Sequence, residues 1–174
     1  YASRMAAKVD SSAVQDGYQI YHHFFVFTQS GNWAVIQQGM NEELRQARRY
    51  HWLGSQVTDF TVEPHYAICC DQINETLNLV SLQNEPVRSL STQLACESPD
   101  RLLKELSAIQ GSKNLSLPRQ HSIPRTSFLQ RSLQATYEQQ PENFAALLET
   151  SGVGPATLRA LCLVAEVAYG VKPS

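Results

Sequence analysis

The chain of 174 residues lacks several features that would assign it to a class of protein at once. It contains no run of about 18 apolar residues, the length that a membrane-spanning helix needs, so we predict no membrane segment. Cys69, Cys70, Cys96 and Cys162 show no C-x-x-C spacing, so no zinc site is predicted, and free thiols in a reducing, cytoplasmic setting are expected. No basic-then-apolar leader follows Tyr1, which predicts no secretion signal, and a start without Met suggests a piece of a longer protein.

The chain also lacks a large excess of positive or negative charge. The net charge is -2, which gives no overall basic signal for nucleic acid. The distribution is uneven, because residues 1–98 carry six Lys/Arg and ten Asp/Glu whereas residues 99–174 carry eight and six. The stretch 112–137 contains no acidic residue, and its basic residues are Lys113, Arg119, Arg125 and Arg131. It is either a basic face for a nucleic acid or a solvated linker.

Periodicity predicts an α+β fold with a boundary near residue 83. Residues 1–83 form a mixed α/β part that contains an antiparallel β-hairpin, with strands at 18–28 and 33–38 joined by the turn residues 29–32. Helices are predicted at 4–14 and, after the potential N-cap Asn41, at 42–50. Further strands are expected at 60–62, 66–70 and 77–81.

Residues 84–174 are predicted to form a helical part. Helices are expected at 84–96, 98–110 and 127–139, and residues 114–124, with two prolines, indicate a connecting loop. Two more helices follow at 141–169. Pro141 suits the first turn of the earlier helix.

The last two helices resemble the helix-hairpin-helix motif of DNA glycosylases, ligases and structure-specific nucleases. The resemblance is carried by Leu148, Gly152, Val153, Gly154, Thr157 and Ala160. Two glycines allow a tight turn and close approach of a ligand, and the free N–H groups that begin the next helix suit a phosphate oxygen. The resemblance implies sequence-independent contacts to the DNA backbone from Gly152, Gly154 and Thr157, with Arg159 adding charge. A plain helical hairpin in which the glycines only make the turn is the alternative.

Polar residues are concentrated around the β-hairpin. His22 and His23 point to opposite faces of a strand, so at most one of them can line a pocket with Gln37 or Gln38. Metal-dependent nucleases hold Mg²⁺ or Mn²⁺ with two or three carboxylates, sometimes with Gln or His. The predicted metal ligands are Asp10, Asp16, Glu63 and His65, and the predicted catalytic set is Asp10, Asp16, His22, His23, Gln37, Gln38 and His51. Arg45, Arg48 and Arg49, at i, i+3 and i+4 of the predicted helix, form either a phosphate-facing stripe, with Arg48 and Arg49 as DNA contacts, or a solvated face.

Several runs resemble an uncharacterised microbial family, the domain-of-unknown-function family seven-six-three. They are Lys8-Val9-Asp10-Ser11, Gln15 to Gln19, Tyr21-His22-His23, Asn32 to Asn41, Ala47 to Trp52, Glu63-Pro64-His65 and the Gly152 to Pro155 hairpin. The resemblance extends from Lys8 to Gly170. It implies that these polar runs occur together with a helix-hairpin-helix, which favours a DNA-processing role such as repair.

Three functional hypotheses follow. The first is a DNA-binding, metal-dependent nuclease that uses Mg²⁺ or Mn²⁺ and whose His22 or His23 acts as ligand or general base. The second is a non-catalytic DNA-binding or scaffold module. The third is a hydrolase or binder of a small molecule in which the helical hairpin is purely structural.

Overall fold

The computed structural model describes residues 1–110 and 126–174 and divides the chain into two compact units, Tyr1–Leu82 and Gln83–Ser174. The expected loop at 114–124, with Lys113, Arg119 and Arg125, lies outside the described residues, and Arg131 is exposed on a helix. Within the described ranges no helix is long and apolar enough to cross a membrane. All four cysteines are free thiols, as expected.

The first unit is a four-stranded antiparallel sheet with a helical segment on one face. Helix α1 (Ala2–Lys8) continues directly into a π-helix (Val9–Ala13), which leads into the short strand β1 (Val14–Gln15). The sheet has the order β2-β3-β4-β5, with β2 at Gln19–Phe27, β3 at Trp33–Asn41, β4 at Gln46–Leu53 and β5 at Ala67–Cys69. Strand β1 pairs separately with β6 (Leu77–Asn78).

Strand alternation gives the sheet a buried and an exposed face. Val35 lies opposite Trp52, and Gln37 opposite Tyr50, and all four are buried on the face that packs against α1. The neighbouring positions point the other way and are largely exposed, including Phe24, Val26, Met40 and Leu53. The polar side chains that reach the core therefore come from every second position of each strand.

Two of the predicted elements in this unit are wrong. The segment expected to be a helix at 42–50 is a turn followed by strand β4, and the expected strand at 60–62 is a turn. The Asn41 side chain accepts the Leu44 N–H at 3.0 Å, and Arg45 takes a positive φ of 53°, so these residues close a β-hairpin. As a consequence, Arg48 and Arg49 point to opposite faces and form no common stripe.

The second unit is helical where it is described. A short 3₁₀-helix (Leu82–Asn84) leads into α2 (Glu85–Ala95), followed by α3 (Pro99–Gln110), α4 (Thr126–Gln139), α5 (Phe144–Glu149) and α6 (Pro155–Tyr169). Helix α6 is apolar and is buried along most of its length, against α2, α3 and α4. Helix α5 starts later than expected: Asn143, and not Pro141, is the N-cap and accepts the Ala146 N–H at 2.9 Å. The α+β class is confirmed.

Candidate functional site

The buried face of the sheet brings Asp10, Gln37, His23 and His65 into one hydrogen-bonded network. Asp10 is completely buried on the π-helix, a rare local form that is common at functional sites. Its carboxylate accepts the Trp52 indole N–H at 2.9 Å, lies 2.5 Å from Nε2 of His65 and accepts a hydrogen bond from the Gln37 amide. Four of the predicted site residues therefore converge, and Trp52 is an unpredicted member.

The network continues from Gln37 to the surface. Gln37 Nε2 also donates to the Ala6 carbonyl at 3.2 Å, so its nitrogen faces Ala6 and Asp10, and its oxygen faces His23 Nδ1 at 2.9 Å. An amide oxygen only accepts, so His23 Nδ1 carries the proton and the neutral ring exposes a lone pair at Nε2. The Ser3 hydroxyl lies 2.8 Å from that nitrogen and donates to it.

Ser3 is a member of this network that the sequence did not reveal. It lies in the first turn of α1, twenty positions before His23, in a segment that reads only as an amphipathic helix. The signal that could have found it is its spacing from Asp10. Positions i and i+7 share one helix face, so the face that carries Asp10 also presents Ser3 to the sheet.

A second buried cluster is centred on Asp16. Its Oδ2 accepts Arg48 at 2.8 Å and the Tyr50 hydroxyl at 2.5 Å, and its Oδ1 accepts the Tyr18 N–H at 3.1 Å. The Arg48 guanidinium also stacks 4.3 Å from the centre of the Tyr18 ring and donates to the Gln72 carbonyl at 3.1 Å. Arg48 is thus held by protein groups inside the fold, which does not fit its predicted contact with DNA.

Burial raises the pKa of one acidic side chain in each cluster. Desolvation raises the pKa of Asp10, against the opposing effects of the hydrogen bond and charge of His65 and the hydrogen bond of Trp52. Burial, followed by the charge and hydrogen bond of Asp16, raises the pKa of Tyr50 well above its ordinary value, so the phenol stays protonated. On α1, burial and then the charge of Arg4 lower the pKa of Lys8.

The remaining predicted residues of this unit lie elsewhere. His22 and Gln38 are paired on the opposite side of the sheet, where Arg49, the partner of Gln38 on β4, and His51 also lie. The sequence alternation correctly separates His22 from His23. Glu63 is exposed and accepts the Leu82 N–H at 3.3 Å, so it does not join Asp10.

The predicted metal ligands do not form a metal site as they are arranged. The described residues contain no group of three or more His, Cys, Asp or Glu side chains placed to hold an ion. Each of the two carboxylates, Asp10 and Asp16, meets three side-chain or backbone partners, among them an indole N–H, a guanidinium and a phenol. These donors use most of the lone pairs of the two carboxylates, so the described residues, as arranged, hold no ligand set ready for Mg²⁺ or Mn²⁺.

In the second unit, α5 and α6 form a tight hairpin. Gly152 has a φ of +82°, a value that favours glycine, and Val153 is buried, with its N–H donated to the Thr150 carbonyl at 3.2 Å. Thr157, a predicted DNA contact, is buried, and its hydroxyl lies 2.9 Å from that of Ser132 on α4. Its side chain therefore fixes the hairpin to α4 and is not presented at the surface.

Gly154 differs from the other hairpin residues. Its backbone is extended (φ −144°), it is the N-cap of α6, and no side chain caps this helix end. A Cβ added at Gly154 would meet no atom of the described residues within 4 Å. Arg159, one turn further along α6, is partly buried, and its buried Nε makes no hydrogen bond among the described residues.

These features define a two-unit α+β protein with a buried carboxylate network in one unit and an open-ended helical hairpin in the other. A family model described as "Protein of unknown function (DUF763)" matches residues 1–174, and the chain belongs to that family. This confirms the family suggested by the sequence runs. No curated protein and no solved structure matches the chain significantly.

Proposed function

We propose that the protein binds the phosphate backbone of DNA, independently of base sequence, through the hairpin between α5 and α6. The observation that carries this proposal is the N-terminal end of α6 at Gly154, which lacks a side-chain cap and, among the described residues, has no atom within 4 Å of the space that a Cβ would fill. A glycine that the protein's own packing does not require is well explained by the close approach of a ligand.

The chemistry of this helix end suits a phosphate. The first N–H groups of a helix lack acceptors within the helix, and the helix dipole adds partial positive charge at the same place. Pro155 follows at the first helical position and sets the direction of the helix start without needing an acceptor of its own. Arg159, one turn further along the same helix, is partly buried and adds a positive charge to this part of the unit.

The decisive variant is Gly154→Val. Because the backbone at Gly154 is extended and the added Cβ meets no atom of the described part of the chain, we expect the fold to tolerate a side chain that blocks the approach of a phosphate. Loss of one hydrogen bond to a charged group costs roughly 1.5–3 kcal/mol, which corresponds to about a 10- to 150-fold weaker affinity. Fluorescence anisotropy with labelled duplex and single-stranded DNA of unrelated sequences measures this. Gly152→Ala is a poorer probe, since the positive φ of Gly152 strains any other residue.

Charge is tested with a matched pair of arginines. Arg159→Gln is expected to weaken binding to all sequences and to reduce the slope of log K against log salt by about 1. Arg101→Gln removes the same charge from the same unit. Arg101 bonds to the Tyr169 hydroxyl, at the far end of α6 from the hairpin, so we expect wild-type affinity. Wild-type affinity of Gly154→Val, with an unchanged melting temperature, would overturn the proposal.

Cleavage of the bound DNA is a separate prediction. The scaffold hypothesis needs only the hairpin, whereas the nuclease hypothesis also needs chemistry in the first unit. The observation that favours an enzyme is the connection between the buried Asp10 and an accessible serine and histidine pair.

A further inference from the structure

The accessible end of the Asp10 network has the arrangement of an activated nucleophile. Ser3 Oγ and His23 Nε2 are 2.8 Å apart, and His23 Nδ1 is 2.9 Å from the Gln37 oxygen. In enzymes that use a serine nucleophile, a base lies within hydrogen-bond reach of the hydroxyl, and a third group orients the base. Ser3 has the position of the nucleophile, His23 that of the base, and Gln37 that of the group that orients the base.

The tautomer of His23 is the one that this chemistry requires. The Ala6 carbonyl can only accept, so it fixes the orientation of the Gln37 amide, and Gln37 in turn places the proton of His23 on Nδ1. Nε2 is left with a lone pair directed at the Ser3 hydroxyl, ready to take its proton. Gln37 and Asp10 are fully buried and act through His23, so they are positioning residues.

The surroundings of Ser3 favour an anionic substrate. Arg4 follows Ser3 directly, and Lys8 lies one helical turn after Arg4, close enough for the charge of Arg4 to lower its pKa. His23 is exposed and Ser3 half-buried, so a substrate can reach both. Two cations on the helix that carries the nucleophile can help to balance the charge of a phosphate group.

We propose that Ser3 is a nucleophile, with His23 as its general base, that attacks the phosphorus of a phosphodiester without a metal ion. The choice of phosphodiester rests on the proposed DNA binding, whereas the nucleophile rests on the geometry alone. In the first step the Ser3 Oγ–P bond forms, the P–O bond to the leaving alcohol breaks, and the serine proton passes through His23 to the leaving oxygen. Water, activated by His23, then hydrolyses the phosphoserine ester and restores Ser3.

A fluorophosphonate ester tests the nucleophile without any DNA. Ser3 Oγ displaces fluoride from phosphorus, and His23 takes the proton. Tandem mass spectrometry after timed exposure gives the labelling rate at each serine. Ser11 is the internal control, because it is exposed but its hydroxyl donates to the Lys8 carbonyl at 3.4 Å and lies beside Ser12, with no base in reach. General-base assistance contributes typically 10²- to 10⁴-fold, so we expect Ser3 to react at least about 100-fold faster than Ser11.

His23→Ala distinguishes catalysis from structural support. We expect Ser3 labelling to slow about 100-fold in this variant and to recover when imidazole is added to the solution, which a structural role would not produce. Because His23 is exposed, the variant is expected to fold, and tryptophan fluorescence checks this. Equal rates at Ser3 and Ser11, or a Ser3 rate unaffected by His23→Ala, would overturn the nucleophile.

The substrate class is tested with bis(4-nitrophenyl) phosphate in the presence of EDTA. We expect release of nitrophenolate that is lost in Ser3→Ala and retained in Arg101→Gln, a variant of the second unit. A protein whose Ser3 is labelled but which releases no nitrophenolate has the nucleophile and not the proposed substrate. Neither reagent contains DNA, so failure of the hairpin to bind DNA leaves both results interpretable.

Discussion

Replacing Arg48 with methionine is expected to destabilise the first unit severely. Arg48 is 6% exposed and is bonded to Asp16 at 2.8 Å and to the Gln72 carbonyl at 3.1 Å. Removing one partner of a buried ion pair leaves the other charge without compensation, which costs about 3–5 kcal/mol. This is a large fraction of the roughly 5–15 kcal/mol that stabilises an ordinary domain. For a unit of this size, a loss of about 3 kcal/mol lowers the melting temperature by about 12–24 °C.

The neighbouring Arg49 supplies the control, because the same change there removes the same charge from the exposed face of strand β4. We expect Arg49→Met to change the free energy of unfolding by less than about 0.5 kcal/mol. Urea unfolding followed by tryptophan fluorescence reports this unit alone, since both tryptophans of the chain, Trp33 and Trp52, lie in it.

A double variant separates the ion pair from other effects of the substitution. Asp16→Asn combined with Arg48→Met is expected to cost less than the sum of the two single changes, because neither leaves a buried charge when the other is present. Equal destabilisation by Arg48→Met and Arg49→Met would refute the assignment of Arg48 to the buried cluster.

Two further predictions concern the carboxylates of the first unit. Burial raises the pKa of Asp10 above its ordinary 3.8, so the folded state binds the proton more tightly than the unfolded state does. The free energy of unfolding of the wild type, relative to that of Asp10→Asn, is therefore expected to be greatest below pH 3.8. It falls as the pH rises through the folded pKa, by up to about 1.4 kcal/mol per pH unit. Urea titrations from pH 3 to 8 measure this difference, and a difference that stays flat or rises would contradict the prediction. Mg²⁺ and Mn²⁺ are expected to leave the melting temperature of this unit unchanged, since the oxygens of Asp10 and Asp16 meet protein donors. A melting temperature that rises with metal concentration in the wild type, but not in Asp10→Asn, would support the metal-dependent nuclease instead.

Local patterns in the sequence predicted the elements that local chemistry determines. The β2–β3 hairpin follows from branched and aromatic residues around a glycine turn, and α3 from its start at Ser98, Pro99 and Asp100. The segment after Asn41 was assigned wrongly because an Asn side chain that accepts an N–H three residues on serves a helix start and a hairpin turn equally well. Pairing of β4 with β3 decides between the two, and that partner is set by the tertiary fold.

The candidate site was predictable only in part, for a similar reason. Asp10, Gln37, His23 and His65 were singled out as polar residues near the hairpin, but their convergence depends on the face of the sheet that α1 covers. A serine in the first turn of a helix is ordinary, so apart from its seven-residue spacing from Asp10 nothing in the sequence distinguishes Ser3. Its contact with His23, twenty residues away, is set by the tertiary fold.

The π-helix has a consequence for how insertions and deletions would affect this protein. A π turn holds one more residue than an α turn, and here the π-helix contains Asp10 and runs directly into the strand that leads to Asp16. Deleting the exposed Ser11 would allow an ordinary α-helix, yet every residue after it would shift by one position relative to Asp10. Such a shift turns the side chains of a strand to the opposite face. The extra residue therefore sets the relative phase of the two carboxylates, so that both face the interior at once.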